Sequence, residues 1–388
     1  MADNVDVNKL RARKRRLKKI RKLLWFLIIV AVVLSLYLNR DIWMHKIEGI
    51  GSRYSTIKQN EGKLAKGNFP LTIQGSEEFK ISSASGRLYI LSEDTLYEYT
   101  TGGELDKVWK HNLSNAVMET SGGRVLVYEE GSTKLKVFSK NSTVYTNEVT
   151  DSILFGRINK DGYCAIITES DTYDCKLYVF DPDGNNIYER DCLERIMDVS
   201  FKSDNSGCYM STLESSDGDI KTSIICADFR SVDDQWQTEP ADSLNLNIFS
   251  DSKDNIYMVC DTFCNIYNKS GALVQTYTYQ AELADYSYSD GNLALLLNDE
   301  SRHKIKLVAF SDPEKSPYEN YFQNNIKSVY ASGSGIYIMS SDGIDEYKTD
   351  GTKISSANLD DAYNDFIRID NYAFLIGYDR IERIDFKD

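Results

Sequence analysis

From residue 66 onward the chain repeats one hydrophobic pattern. A Gly or Asn precedes a short apolar strand, a polar turn follows, and a second apolar strand comes next. The first of these strands begin at Gly86 (GRLYIL), Gly123 (GRVLVY), Gly162 (GYCAIIT), Gly207 (GCYMST), Asn255 (NIYMVC), Gly291 (GNLALLL), Gly335 (GIYIMS) and Asn371 (NYAFLIG). Their companions are LYEY from Leu96, LKVF from Leu135, LYVF from Leu177, SIICA from Ser223, CNIYN from Cys264, KLVAF from Lys306, IDEY from Ile344 and IERIDF from Ile381. Several companions run into a turn rich in Gly and Asn: TGGE at Thr101, DPDGNN at Asp181, NKSG at Asn268 and TDGT at Thr349. Those residue types supply the positive φ that a tight strand reversal needs.

Successive repeats start 36 to 48 residues apart. A four-stranded antiparallel blade takes about 40 to 45 residues. Short meandering strands at that period, with almost no helical periodicity, predict an all-β fold: an eight-bladed β-propeller over residues 66–388. Seven blades is the alternative count, turning on the irregular stretch around residues 230–250. Continuous apolar runs such as LALLL fit sheets covered on both faces. The last repeat has room for only three strands, DFIRID from Asp365, YAFLIG from Tyr372 and RIERIDF from Arg380. A strand-like segment at 68–73, NFPLTI, is expected to pair with that blade and close the ring without a covalent link.

The N-terminal pattern is different. Residues 23–38, LLWFLIIVAVVLSLYL, carry no charge. A span needs about 20 apolar residues, and Lys22 and Arg40 can snorkel to make up the difference. Trp25 and Tyr37 stand where interfacial aromatics belong. A long basic stretch precedes this segment, and no small-residue cleavage site follows it, which favours an uncleaved anchor over a signal peptide. The lipid bilayer is thus an expected partner through residues 23–38. Residues 39–65 are read as a stalk.

Charge sets the orientation. Residues 1–22 hold ten Lys/Arg against Asp3 and Asp6, a net of +8, which leaves −22 on the rest of a chain whose total is −14. The basic tail is expected in the cytoplasm and the C-terminal domain outside it. The acidic body repels phosphate backbones, so no nucleic-acid partner is expected. Tyrosines number 26 against 5 prolines, in keeping with many half-buried strands.

Candidate chemistry is sparse. His45, His111 and His303 are too few and too scattered for a His-rich metal centre, so no metal site is expected. No HExxH, P-loop, GxSxG or dinucleotide fingerprint is present. The DPDGN run from Asp181 is oxygen-rich like a calcium loop, but it lacks the later Glu and reads as a β-turn. The seven cysteines all lie between residues 164 and 264, with no CxxC. Cys164 and Cys175, Cys208 and Cys226, and Cys260 and Cys264 flank hairpin turns as possible disulfide pairs, with Cys192 left over. The competing reading makes all of them small buried hydrophobes.

The strand–turn–strand repeats, with segments such as KLYVFDPDGNNI (176–187), resemble pyrroloquinoline-quinone-like and WD40-like propellers. Together with the anchor, the arrangement resembles N-terminally anchored propeller proteins of unknown function from Gram-positive anaerobic bacteria. The chain departs from quinone-dependent dehydrogenases by lacking their repeated Trp motif, since the body holds only Trp109 and Trp236. The resemblance therefore implies no catalytic residue and no cofactor. The expected role is a non-enzymatic binding or scaffolding module at the cell envelope, meeting an envelope protein or a wall polymer. The alternative is a propeller enzyme that acts on glycans through channel carboxylates. Paired inward carboxyls with raised pKa would mark the enzyme, and a surface patch would mark the scaffold.

Overall fold

The computed structural model describes residues 63–64, 68–72, 79–140, 142–216, 218–289, 291–323, 325–333, 335–359 and 363–386. The expected transmembrane segment at 23–38, with Lys22, Trp25, Tyr37 and Arg40, lies outside the described residues, as does His45. Among the described residues, no helix is long and apolar enough to cross a membrane.

The described residues form eight antiparallel sheets arranged as the blades of a propeller. Blades 1 to 7 span residues 80–110, 116–148, 153–192, 195–237, 245–278, 282–323 and 326–358, with four strands each. Blade 8 is built from Asp365–Ile369, Tyr372–Ile376 and Arg380–Asp385. The irregular stretch after residue 230 holds the short outer strand of blade 4, Trp236–Gln237, and leads into the inner strand of blade 5, Asn245–Ser250. The count of eight follows.

The apolar strands that open each repeat are second in their blades. A more polar strand precedes each one and lines the ring's centre. Lys80–Ala84, for example, precedes Arg87–Leu91, and Ala116–Ser121 precedes Arg124–Glu129. These inner strands touch one another from blade to blade, and Lys80–Ala84 meets Asp365–Ile369 to complete the circle.

Burial explains the pattern. Alternate side chains of one strand point to opposite sheet faces, and here both faces are covered. Leu88 and Ile90 pack toward blade 8, while Tyr89 and Leu91 pack toward blade 2. Eight hydrophobic clusters result, one at each blade interface. The second strands of blades 3 and 5, Cys164–Thr168 and Ile256–Cys260, are buried at every position.

Odd-numbered blades share a rim feature. The turn before the outer strand carries a glycine at positive φ in blades 1, 3, 5 and 7: Gly103 (80°), Gly184 (88°), Gly271 (79°) and Gly351 (85°). Each glycine donates its N–H three residues back, to Thr100, Asp181, Asn268 and Lys348. Each also lies against an aromatic ring that the preceding blade contributes: Phe69, Tyr145, Trp236 and Tyr318. A Cβ at Gly184 would stand 2.6 Å from the Tyr145 ring, so the close approach demands glycine. Asp181 accepts the N–H groups of Asp183 and Asn185 and the side-chain amide of Asn185. Its oxygens serve a turn.

The N-terminal pieces complete blade 8. Leu71–Thr72 pairs with Arg380–Asp385, Leu71 opposite Ile381 and Thr72 opposite Arg380. Lys63–Leu64, in the stretch read as stalk, pairs with the far end of that strand, Lys63 opposite Asp385. Phe69 and Leu71 sink into the cluster between blades 8 and 1.

Candidate functional site: the central channel and its mouth

Inner strands face the channel, so their exposed backbone edges need partners. In blades 3 to 7 the strand carries a β-bulge at the same place, and the residue after the bulge is re-aimed. Those residues are Phe155, Asp198, Asn247, Asp285 and Ser328. Two of them act as clips. The Ile248 N–H of blade 5 donates to Asp198 Oδ2 at 2.8 Å, and the Val329 N–H of blade 7 donates to Asp285 Oδ2 at 2.9 Å. Hydroxyls do the same beside them. Ser200 meets Ser250 at 2.8 Å, Ala331 N–H donates to Ser287 Oγ at 2.9 Å, and Ser82 meets Thr120 at 2.6 Å.

Arg157 ties three blades together. Its Nε donates to Asp198 Oδ1 of blade 4 at 2.7 Å, and its Nη1 donates to Glu119 Oε1 of blade 2 at 3.0 Å. Asp198 is only 1% exposed, so the pair is largely desolvated on one side. Burial pushes the carboxyls of Asp198, Glu119 and Asp285 above the usual range, against the pull of Arg157 on the first two and of backbone N–H groups on Asp198 and Asp285. Both oxygens of Asp198 are bonded. So are both of Asp285, whose Oδ1 accepts the Tyr286 N–H at 2.8 Å.

Above this layer the channel opens into a cavity of about 600 Å³ across blades 2 to 6. Thr120, Ser200, Asn205, Asn247, Phe249 and Tyr288 are among its lining residues. Phe249 and Tyr288 stack with centroids 4.6 Å apart and planes 12° apart. A second cavity, about 710 Å³, lies on the outside between blades 3 and 4. Leu193 and Val232 border it, 75% and 97% exposed, beside the Arg190–Asp234 ion pair.

The structure distributes the remaining candidate residues through the core and the turns. All seven cysteines are buried and free. Cys164 and Cys175 face different interfaces of blade 3, and Cys208 and Cys226 do so in blade 4. Cys260 and Cys264 likewise join clusters on opposite sides of blade 5. Strand parity is the cause, because neighbouring register positions point to opposite faces. Cys192, which the hairpin pattern leaves over, stands directly opposite Cys175. The neighbouring Cys192 thiol holds the Cys175 thiol below its ordinary pKa. His111 is fully buried: its Nδ1 accepts the Leu113 N–H at 3.2 Å, and its Nε2 lies 3.1 Å from the Ser92 carbonyl. His303 sits in an exposed turn. Among the described residues no group of His, Cys, Asp and Glu is arranged to hold a metal ion.

Residues 69–386 match a family of unknown function, DUF5711. No curated protein matches the sequence. Solved structures share the fold at low identity. Sqt1 of Saccharomyces cerevisiae superposes with a TM-score of 0.59 at 8% identity, covering 86% of this chain and 100% of that one. BamB of Moraxella catarrhalis gives 0.54 at 14%, covering 83% and 99%. The β-propeller domain of Cps50 (Swd1) from Myceliophteria thermophila gives 0.51 at 9%, covering 84% and 99%. At such identities the likeness is one of fold.

Proposed function

Since the chain belongs to DUF5711, a family of unknown function, we propose that it is a non-enzymatic binding module, anchored in the cell membrane by residues 23–38 with its propeller outside. Its partner is an envelope protein or a wall polymer. The observation that carries the reading is the commitment of the channel carboxyls. Asp198 and Asp285 each spend both oxygens on clips between or within blades. Glu119 is held by Arg157. The raised carboxyls favour the competing reading, a glycan-cleaving enzyme. Cleavage by that route uses two carboxyls about 5 to 9.5 Å apart, one to protonate and one to attack or to activate water. Of Glu119, Asp198 and Asp285, only Glu119 keeps an oxygen without a hydrogen bond, so these three carboxyls do not make the pair.

The anchor and orientation rest on the apolar run at 23–38 and the +8 tail before it. Protease added outside intact cells is expected to digest the propeller and spare the tail. For the binding role, a photoreactive residue placed at Ser252, at the channel mouth, is expected to capture the same envelope component reproducibly from native membranes. Absence of any captured component would overturn the reading, and wall-glycan cleavage by the purified protein that E119Q abolishes would put the enzyme in its place.

A further inference from the structure

We propose that the channel mouth binds an uncharged, hydroxyl-rich ligand, a short stretch of neutral oligosaccharide. The proposal deepens the binding reading above and rests on it.

Size and shape come first. About 600 Å³ lies within the range of specific small-ligand sites, roughly 300 to 1,000 Å³. The body as a whole is strongly acidic, but the cavity is not. Arg157, Lys160 and Lys202 line it against Glu119, Asp161 and Asp251. Most of these charges are already engaged. Arg157 lies between its two carboxylates, and Lys202 donates to Gln235. Asp161 accepts from Asn205, and Asp251 accepts from Lys253 and Asn255. With three cations against three carboxylates the lining carries no net charge to draw in a charged ligand.

Beyond charge the cavity is lined by hydroxyl and amide groups, Thr120, Ser121, Ser200, Ser203, Ser250 and Asn247. The hydroxyls of Thr120, Ser200, Ser203 and Ser250 already bond within the ring and keep lone pairs that can accept. Hydroxyls both donate and accept, and amides present one group of each kind. Sugar hydroxyls need that mixture. A sugar ring also has a face of C–H bonds that packs on a flat aromatic surface. Phe249 and Tyr288 line the cavity with their facing sides stacked on each other and Tyr257 5.4 Å from Tyr288, so a sugar would pack on their edges and on the outer side of Phe249. Their backbone is fixed. The residue before Phe249, Ile248, is the one that Asp198 clips, and Tyr288 is held in the eight-residue inner strand Glu282–Ser289. Aromatic platform and polar wall are therefore presented by rigid strands, as a specific site requires.

The test uses the full-length protein in nanodiscs and calorimetric titration with three neutral probes: cellotetraose, maltotetraose and the β-1,4-linked tetramer of N-acetylglucosamine. At least one is expected to bind. F249L and Y288L are each expected to weaken that binding by roughly tenfold, the size of one aromatic contact. S252R adds bulk at an exposed loop position of the mouth and is expected to block binding while the unfolding midpoint stays unchanged. Failure of all three probes to bind up to their solubility limits would overturn the proposal. So would wild-type affinity in F249L, Y288L and S252R together. If the probes fail while the Ser252 crosslink still captures an envelope protein, the saccharide proposal falls and the binding module stands. If both fail, both fall.

Discussion

Asp198 shows why chemistry at this ring's centre is hard to read from sequence. It looks like any Asp in a mixed strand, RIMDVSF. Its role depends on a bulge after Ile196 and on the strand of the next blade, about 50 residues away. No local pattern encodes either. D198A would leave Arg157 short of its buried partner and the Ile248 N–H without an acceptor. Arg157 is 28% exposed and keeps Glu119, so the cost falls below that of a fully buried pair, and urea unfolding of D198A is expected to show a loss of about 1 to 3 kcal/mol. His111 gives a pH prediction. Burial lowers its pKa, and its Nδ1 must stay unprotonated to accept from Leu113. The unfolded chain therefore binds this proton more readily, so the contribution is full above the ordinary His pKa and is lost as pH falls below it. Asn can accept the same N–H, so H111N is expected to show a smaller loss of urea stability than wild type between pH 7 and pH 5. The cysteines give a third prediction. Cβ atoms of directly opposed residues on antiparallel strands stand about 4.5 to 5.5 Å apart, close to disulfide reach. Oxidation of the purified protein with a small disulfide is expected to link Cys175 to Cys192 before any other pair, read by non-reducing peptide mapping. The seven positions were visible in the sequence, but their faces were not, because parity depends on register.

At the scale of elements the sequence was far more legible. The Gly-rich turns at Thr101, Asp181, Asn268 and Thr349 and the apolar runs around them are local signals, and local physics produces them. The preceding inner strands were harder to see, because a polar channel edge relaxes the apolar pattern: Glu282–Ser289 has no fully buried position. Also hidden was the reason only odd blades carry a turn glycine. The glycine answers an aromatic ring from the blade before it, a contact across sequence that no single repeat reveals. G184A tests this. Its Cβ would meet the Tyr145 ring at 2.6 Å, and its φ of 88° is poor for a side chain. The two effects together are expected to cost about 2 to 4 kcal/mol, combining backbone strain of about 1 to 3 kcal/mol with the overpacking of a tight contact. In a Y145A background the steric part vanishes and only the backbone part remains. Equal costs of G184A in both backgrounds, measured by denaturant titration, would show that the ring contact does not select glycine.

For the whole molecule, the ring's integrity depends on a small number of residues at its seam. Seven interfaces join blades that follow each other in the chain; the eighth, between blades 8 and 1, is reinforced by two short N-terminal strands laid on Arg380–Asp385. Those strands satisfy the outer edge of blade 8, which would otherwise present unpaired N–H and C=O groups to other chains. They also deliver Phe69 and Leu71, each 9% exposed, to the cluster between blades 8 and 1. Burying two such side chains is worth about 3 to 6 kcal/mol. The seam has one further tie: the Arg383 guanidinium donates to the Thr101 carbonyl and lies 5.2 Å from the Phe69 ring. A chain beginning at residue 79 loses both N-terminal strands with Phe69 and Leu71 at once, and keeps the other blade contacts, the Arg383–Thr101 hydrogen bond among them. It is expected to unfold at a lower denaturant concentration and to associate as concentration rises, because its open strand edge pairs with that of another copy. Adding back a peptide of residues 63–72 is expected to restore both the midpoint and the monomer, since the closure is non-covalent and the peptide supplies the same edge. Light scattering and denaturant titration read the two properties independently. A truncated chain that stays monomeric and unfolds at the wild-type midpoint would mean that the inner-strand ring alone, closed by Lys80–Ala84 against Asp365–Ile369, carries the stability of the propeller.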